Sequence, residues 1–257
     1  MEVMELVHIV ILAIVEGITE FLPISSTGHL ILAGHLLGIS STTFTKSFDI
    51  AIQLGAIAAI LTLYAKTLLK QRELWVRLLV ALLPTLVVGF FLYPFIRSSL
   101  LDDTTVTVAA LFLGGIALWV AETALRNRTT TTTGIFSVKT ALGIGAFQAL
   151  AVVPGVSRAA ATIVGGMLLG LPRTRAVEFS FLLAVPTLLA ATSLDLLKHG
   201  GEFSSGEFTF IALGAAIAWI TAVVTVRFFV GFVQKHTLVP FAVYRILLAA
   251  IFFFLVG

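Results

Sequence analysis

The chain has no cysteine among its 257 residues. Disulfides, thiolate metal sites and a thiol nucleophile are therefore excluded. Charge is scarce as well: 16 Lys and Arg with 13 Asp and Glu make up 11% of the residues, against about 25% in a soluble domain. So few charges cannot coat a water-facing globule, which excludes a soluble enzyme and a disordered chain. No basic run is interleaved with aromatics, and the pI of about 9.4 rests on a net charge of only +3. Nucleic acid is therefore not an expected partner. The N-terminal MEVMELVHIV has neither the basic stretch nor the small-residue cleavage site of a secretory signal, and is expected to be retained.

What the chain has in quantity is apolar sequence: 59% hydrophobic residues and a mean hydropathy of +1.10. A helix needs about 20 apolar residues to cross a bilayer. Six segments meet that need: 47–65, 76–96, 106–125, 176–197, 208–230 and 240–256. Two further apolar regions, 3–38 and 138–170, are each broken by proline and small polar residues. The breaks are Pro23-Ile24-Ser25-Ser26-Thr27-Gly28 and Pro154-Gly155-Val156-Ser157-Arg158. Each half is too short to cross, so each region reads as a re-entrant helical hairpin whose tip is buried in protein or faces a wet cavity.

The broken regions belong to an internal repeat. Leu22-Pro23-Ile24-Ser25-Ser26 aligns with Val153-Pro154-Gly155-Val156-Ser157, Leu36-Leu37-Gly38 with Leu168-Leu169-Gly170, and Thr45–Asp49 with Thr174–Glu178. Basic residues set the orientation. One set of loops carries Lys66, Lys70, Arg72, Arg77, Arg126, Arg128, Lys139, Arg173, Arg175, Arg227 and Lys235; the opposite set carries only Lys46, Arg97 and Lys198. The first set is expected in the cytoplasm and both termini outside. The hairpins then enter from opposite sides, the halves are inverted repeats, and the tips should meet near the midplane. The fold class expected is an all-α polytopic membrane protein with six transmembrane helices and two re-entrant hairpins in two inverted-topology repeats. It is one membrane domain, 1–257, with repeats at about 1–125 and 138–257 joined by a cytoplasmic loop, 126–137; the Thr129–Thr133 run in that loop carries no assigned chemistry.

Ionisable groups at membrane depth point to function. Glu16 and Glu20, four apart, share one helix face. They cannot both ionise in dry hydrocarbon without a cation, a shared proton or water. Ser25, Ser26 and Thr27 can cap the helix beyond the first break. A helix N-terminus suits phosphate, and His29 falls in that first turn. In the second break Ser157 can cap the following helix, and Arg158 at its start can fork onto phosphate oxygens. Gln53 and Tyr244-Arg245 are secondary candidates: Gln53 either lines the site or pairs with another helix, and Arg245 either joins it or anchors a helix end. His8, His35, His199 and His236 form no usable cluster.

The stretch Glu16-Gly-Ile-Thr-Glu20-Phe-Leu-Pro-Ile-Ser-Ser26-Thr-Gly-His29, with Pro154-Gly-Val-Ser-Arg158 in the second half, resembles the bacterial undecaprenyl-diphosphate phosphatase family of the bacitracin-resistance type. The resemblance covers essentially the whole chain. One departure is visible: Ala159 follows Arg158 where the family commonly has serine. The resemblance implies hydrolysis of a C55 polyprenyl diphosphate to the monophosphate that carries cell-wall precursors, in the plasma membrane, at a site open to the outer face. It places Glu16, Glu20, Ser26, His29, Ser157 and Arg158 on the family's functional positions.

The residues suit that chemistry. Arg158 and the helix N-termini form the anion clamp. Ser26 is the candidate nucleophile, Glu20 its base or orienter, and His29 an acid or proton shuttle. Ser25, Thr27, Gln53 and Ser157 are expected to bind substrate. Glu16 and Glu20 are the candidate ligands of a divalent cation, Mg²⁺ or Ca²⁺. Direct attack by water and phosphorylation of His29 stay open. The partners expected are the polyprenyl diphosphate, membrane lipids and, as assembly state, a homodimer. The rival reading is a transporter or flippase for an anionic lipid or solute, built on the same inverted repeats.

Overall fold

A computed structural model of the chain describes residues 4–100, 103–125 and 136–256. Arg126, Arg128 and the Thr129–Thr133 run lie outside the described residues. All the regular structure among the described residues is helical. In chain order the helices are α1 (Leu6–Thr19), α2 (Ser26–Leu36), α3 (Thr43–Ala51), α4 (Gln53–Lys70), α5 (Arg72–Phe95), α6 (Thr104–Leu125), α7 (Val138–Ala149), α8 (Arg158–Leu168), α9 (Arg173–His199), α10 (Ser205–Lys235) and α11 (Val239–Val256).

Five helical stretches among the described residues are long and apolar enough to cross a membrane: Thr43–Lys70, where α3 runs into α4, and α5, α6, α9 and α10. Four of them contain an expected span whole, and the span 76–96 runs one residue past the end of α5. The sixth expected span, 240–256, falls in the shorter apolar helix α11. The chain is a multi-pass membrane protein. Helices α1, α2, α7 and α8, of 14, 11, 12 and 11 residues, reach only about 17–21 Å at 1.5 Å per residue, short of the roughly 30 Å hydrocarbon thickness.

The two short pairs stop and restart for the same local reasons. Pro23 and Pro154 disfavour helical backbone at the residue before them, so α1 ends at Thr19, and α7 ends at Ala149 with one 3₁₀ turn, Leu150–Val152. Each following helix begins on a serine N-cap in the left-handed region: Ser25 at φ 74°, ψ 94° and Ser157 at φ 75°, ψ 113°. The two Oγ atoms accept from the amides three residues on, Gly28 at 3.3 Å and Ala160 at 3.1 Å. Both helices end alike. Gly38 and Gly170 have positive φ, and the amides of Ile39 and Leu171 close back onto Gly34 and Gly166 at 2.9 Å, a Schellman closure.

This geometry corrects the sequence register at the tips. The sequence match opposes Ser26 to Ser157, but the structural equivalents are Ser25 and Ser157, because the second tip holds one more residue after its proline. Ser26 and Arg158 therefore occupy the same place, the first residue of each helix.

Packing interleaves the halves: α1 lies along α10, α7 along α5, and α6 along α11. In a membrane such contacts rest on close approach rather than on exclusion of water. At Gly17 a Cβ would come within 1.8 Å of Thr221 Oγ1 on α10, and at Gly145 within 2.1 Å of the Ala81 carbonyl on α5. The tips meet: a Cβ on Gly28 would lie 3.5 Å from Gly155 Cα. Around them, Phe21 packs edge-on against Phe181 with centroids 5.3 Å apart, and Phe181 leans on Phe229.

Candidate active site

Glu20 sits at the C-terminal end of α1, its amide bonded to the Glu16 carbonyl at 2.9 Å, so the two acids stand one turn apart as their spacing requires. The Glu20 carboxylate is buried and has two partners. Ser26 Oγ donates to Oε2. Arg158 Nη2 donates to Oε1 at 2.8 Å. One acid thus joins the first residues of α2 and α8. Arg158 is further fixed by Nη1, which donates to the Ser180 carbonyl at 2.8 Å, and by Phe21, whose ring centre lies 5.6 Å from the guanidinium carbon. Ser180 Oγ accepts from Thr162 Oγ1 at 2.7 Å. Arg158 borders the cavity described below, and its Nε is buried without a hydrogen-bond partner among the described residues.

Glu16 is fully buried, and neither carboxylate oxygen has a hydrogen-bond partner among the described residues. It lies within electrostatic reach of Glu20, Asp49 and Arg158. A dry carboxylate without donors needs a counter-ion, a proton or water. His29 holds two contacts. Its Nδ1 lies 2.7 Å from the Ser25 carbonyl and therefore carries the proton, so its Nε2 accepts from the Tyr244 hydroxyl at 2.8 Å. The two rings are also stacked, with centroids 5.6 Å apart.

A cavity of about 730 Å³ is bordered by Glu20, Ser25, Ser26, Thr27, Gln53, Ser157 and Arg158. It thus gathers seven of the residues expected from the sequence. Glu16 and His29 lie behind this lining rather than in it. The same cavity is walled by Leu82, Leu86, Phe90 and Phe91 of α5 and by Leu188 and Leu194 of α9. Gln53 also borders a second space of about 280 Å³ with Asp49, Thr45 and His35. Arg245 does not border either cavity; it is fully buried and, among the described residues, bonded only to main-chain carbonyls.

Sequence reasoning missed several partners. Ser180 and Thr162 brace Arg158 from α9 and α8. Buried Gln148 donates to Thr85 Oγ1 at 2.9 Å and accepts from Thr187 Oγ1 at 3.3 Å in the cavity wall. Asp49 Oδ1 is buried without a hydrogen-bond partner among the described residues. The available signal was polarity inside otherwise apolar helices, which in a membrane marks either a site or a helix contact.

The chain matches the family described as bacitracin resistance protein BacA over residues 9–251. It is similar to the undecaprenyl-diphosphatase of Aquifex aeolicus (strain VF5), 48% identical over 244 residues that cover 95% of each protein. It is also similar to the undecaprenyl-diphosphatase of Thermus thermophilus, at 47% identity over 95% of this chain and 96% of that protein. The undecaprenyl-diphosphatase of Wolinella succinogenes is 46% identical over 98% of each.

Proposed function

The chain belongs to the bacitracin resistance protein BacA family, and we propose that the Glu20–Ser26–Arg158 constellation carries out that family's reaction. The protein is an undecaprenyl-diphosphate phosphatase: it hydrolyses undecaprenyl diphosphate to undecaprenyl phosphate and inorganic phosphate, returning the lipid carrier to cell-wall synthesis. The observation that supports this site is the shared carboxylate of Glu20, which holds the Ser26 hydroxyl on one oxygen and Arg158 on the other.

In this reading the terminal phosphoryl group docks between the N-termini of α2 and α8. Their free amides and Arg158 take its oxygens, with Nε as the unpartnered donor. Ser26 Oγ attacks the terminal phosphorus while Glu20 takes the hydroxyl proton. The bond to the bridging oxygen breaks and undecaprenyl phosphate leaves. Water then attacks the phosphoserine and the bond to Ser26 Oγ breaks; inorganic phosphate departs, Ser26 recovers its proton from Glu20, and the proton lost by the water passes to solvent. The contact between Ser26 and a carboxylate favours serine over His29 as nucleophile, since both ring nitrogens of His29 are engaged. His29 serves as a proton shuttle through Tyr244. Ser25, Thr27, Gln53 and Ser157 bind the head group, and the prenyl chain lies along Leu86, Phe90 and Phe91.

Glu16 with Glu20 fits a divalent cation, Mg²⁺ or Ca²⁺: the unpartnered oxygens of Glu16 are the hard donors such ions take. No group of three or more His, Cys, Asp and Glu side chains among the described residues is placed to hold an ion. Glu16 and Glu20 would therefore be the two protein groups that hold the ion. When bound, the ion neutralises part of the diphosphate charge.

The membrane arrangement belongs to the same proposal. The protein sits in the bacterial plasma membrane with both termini outside. The pairs α1–α2 and α7–α8 enter from opposite faces as re-entrant hairpins of two inverted repeats, and the site opens to the outer face. The short helices, the matched serine caps and the distribution of basic residues support this. The experiment is phosphate release from undecaprenyl diphosphate by the purified protein in detergent, with and without chelator. Release in detergent, where no gradient exists, separates hydrolysis from transport.

A further inference from the structure

We propose that Arg245 is the positioning residue of the reaction: its guanidinium ties the two hairpin tips together and so sets the distance between Ser26 and Arg158. Arg245 lies in α11 and is fully buried. Among the described residues it makes five hydrogen bonds, all to main-chain carbonyls. Nη1 donates to Pro23 at 3.2 Å and Val156 at 3.0 Å; Nη2 donates to Gly155 at 2.7 Å and Ala110 at 3.2 Å; Nε donates to Leu111 at 3.3 Å. Pro23 is three residues before Ser26, and Val156 is two before Arg158. One rigid planar group therefore fixes the first tip, the second tip and α6 in a single plane of donors.

The tips need such a tie. Each is non-helical, each turns through a serine at positive φ, and their carbonyls point away from any helix ladder. In a membrane interior those carbonyls have no water to satisfy them. Lysine supplies donors from a single point and cannot span five acceptors, whereas the arginine fork can. The surroundings are shaped for it. Gly114 of α6 carries no side chain where a Cβ would stand 2.0 Å from Arg245 Nη2, and at Gly155 a Cβ would meet the Thr107 carbonyl at 2.4 Å. Arg245 borders neither cavity, so it acts through Ser26 and Arg158 and not by touching phosphate.

This inference rests on the hydrolytic reading above. The test compares the wild type with Arg245→Lys and Gly114→Ala. The glycine variant keeps the arginine and its charge but displaces the fork. Turnover on undecaprenyl diphosphate, KM and amide hydrogen exchange are measured in detergent. Both variants should lose about 10- to 100-fold in kcat, the effect of a misplacement on the order of 1 Å, with KM changed by less than about threefold. Amides in both tips, residues 21–28 and 153–160, should exchange about tenfold faster together, while those of α9 and α10 stay protected. Wild-type kcat in either variant overturns the proposal. So does a loss confined to KM, which would make Arg245 a phosphate ligand, or faster exchange spread over all helices or confined to one tip. If Arg245→Lys does not fold, Gly114→Ala decides alone. A wild type that releases no phosphate would defeat the hydrolytic reading, and the exchange data would still decide whether Arg245 ties the tips.

Discussion

The carboxylate of Glu20 stands between the first residues of two helices from opposite halves of the chain, accepting from Ser26 Oγ on one oxygen and from Arg158 Nη2 at 2.8 Å on the other. The candidate nucleophile and the candidate clamp thus occupy equivalent positions in two similar tips, and one acid couples them.

Arg158→Lys should be nearly as damaging as Arg158→Ala. Lysine keeps the charge but cannot bond Glu20, the Ser180 carbonyl and a phosphate oxygen at once. Loss of such a donor lowers the rate by roughly 10²–10³-fold. Turnover, substrate affinity and thermal stability of both variants are the measurements. Lysine restoring a third or more of wild-type turnover would show a charge balance with Glu20 and no fork.

Ser25→Gly should keep more activity than Ser25→Ala. Ser25 pairs a cap bond to Gly28 with a positive φ. Alanine loses the cap, at about 1 kcal/mol, and keeps the backbone strain; glycine loses the same bond but adopts that backbone freely. Equal activity and stability in the two variants would remove the conformational reading of the turn.

How far this site was legible in the sequence depends on the residue. Glu16, Glu20, Ser26 and Arg158 stood out because charge and hydroxyls in apolar sequence are conspicuous, and helical spacing fixed the Glu pair on one face. Five of the six expected spans coincide with helical stretches long and apolar enough to cross a membrane, because length and hydropathy suffice to find such stretches. Ser180 and Thr162 were not legible: they meet Arg158 through helix packing, and single hydroxyls in apolar helices are common. The tip register was off by one residue because an extra tip residue leaves hydropathy unchanged, whereas the positive φ of Ser25 and Ser157 exposes it. The sequence leaves Arg245 as either a site group or a helix anchor; its carbonyl partners come from three separate segments, which no local pattern encodes.

Glu16→Gln should raise thermal stability in the presence of chelator while lowering activity. A buried carboxylate with no donor is costly, and the neutral amide of similar shape relieves a cost on the order of 1–3 kcal/mol. Wild type, but not the variant, should gain stability when Mg²⁺ or Ca²⁺ is added. An equal gain in both would place the ion elsewhere.

Both termini should be accessible from outside the cell. A cysteine introduced at Lys70 or Arg72, at the junction of α4 and α5, should be labelled only from the cytoplasm. The chain has no cysteine of its own, so a single introduced thiol gives a clean readout. External labelling at that junction would reverse the orientation drawn from the basic residues.

The most direct measurement is the initial rate of phosphate release from undecaprenyl diphosphate in detergent by wild type, Ser26→Ala and Glu20→Gln, with substrate binding measured in parallel. The wild type should release one phosphate per lipid. Ser26→Ala should bind the lipid and release phosphate at least about 10³-fold more slowly, the order expected when a nucleophile is removed from an otherwise intact site, and Glu20→Gln at least about 10²-fold more slowly, as for loss of a general base. Release by Ser26→Ala at close to the wild-type rate would contradict the assignment of Ser26 and Glu20 as nucleophile and base.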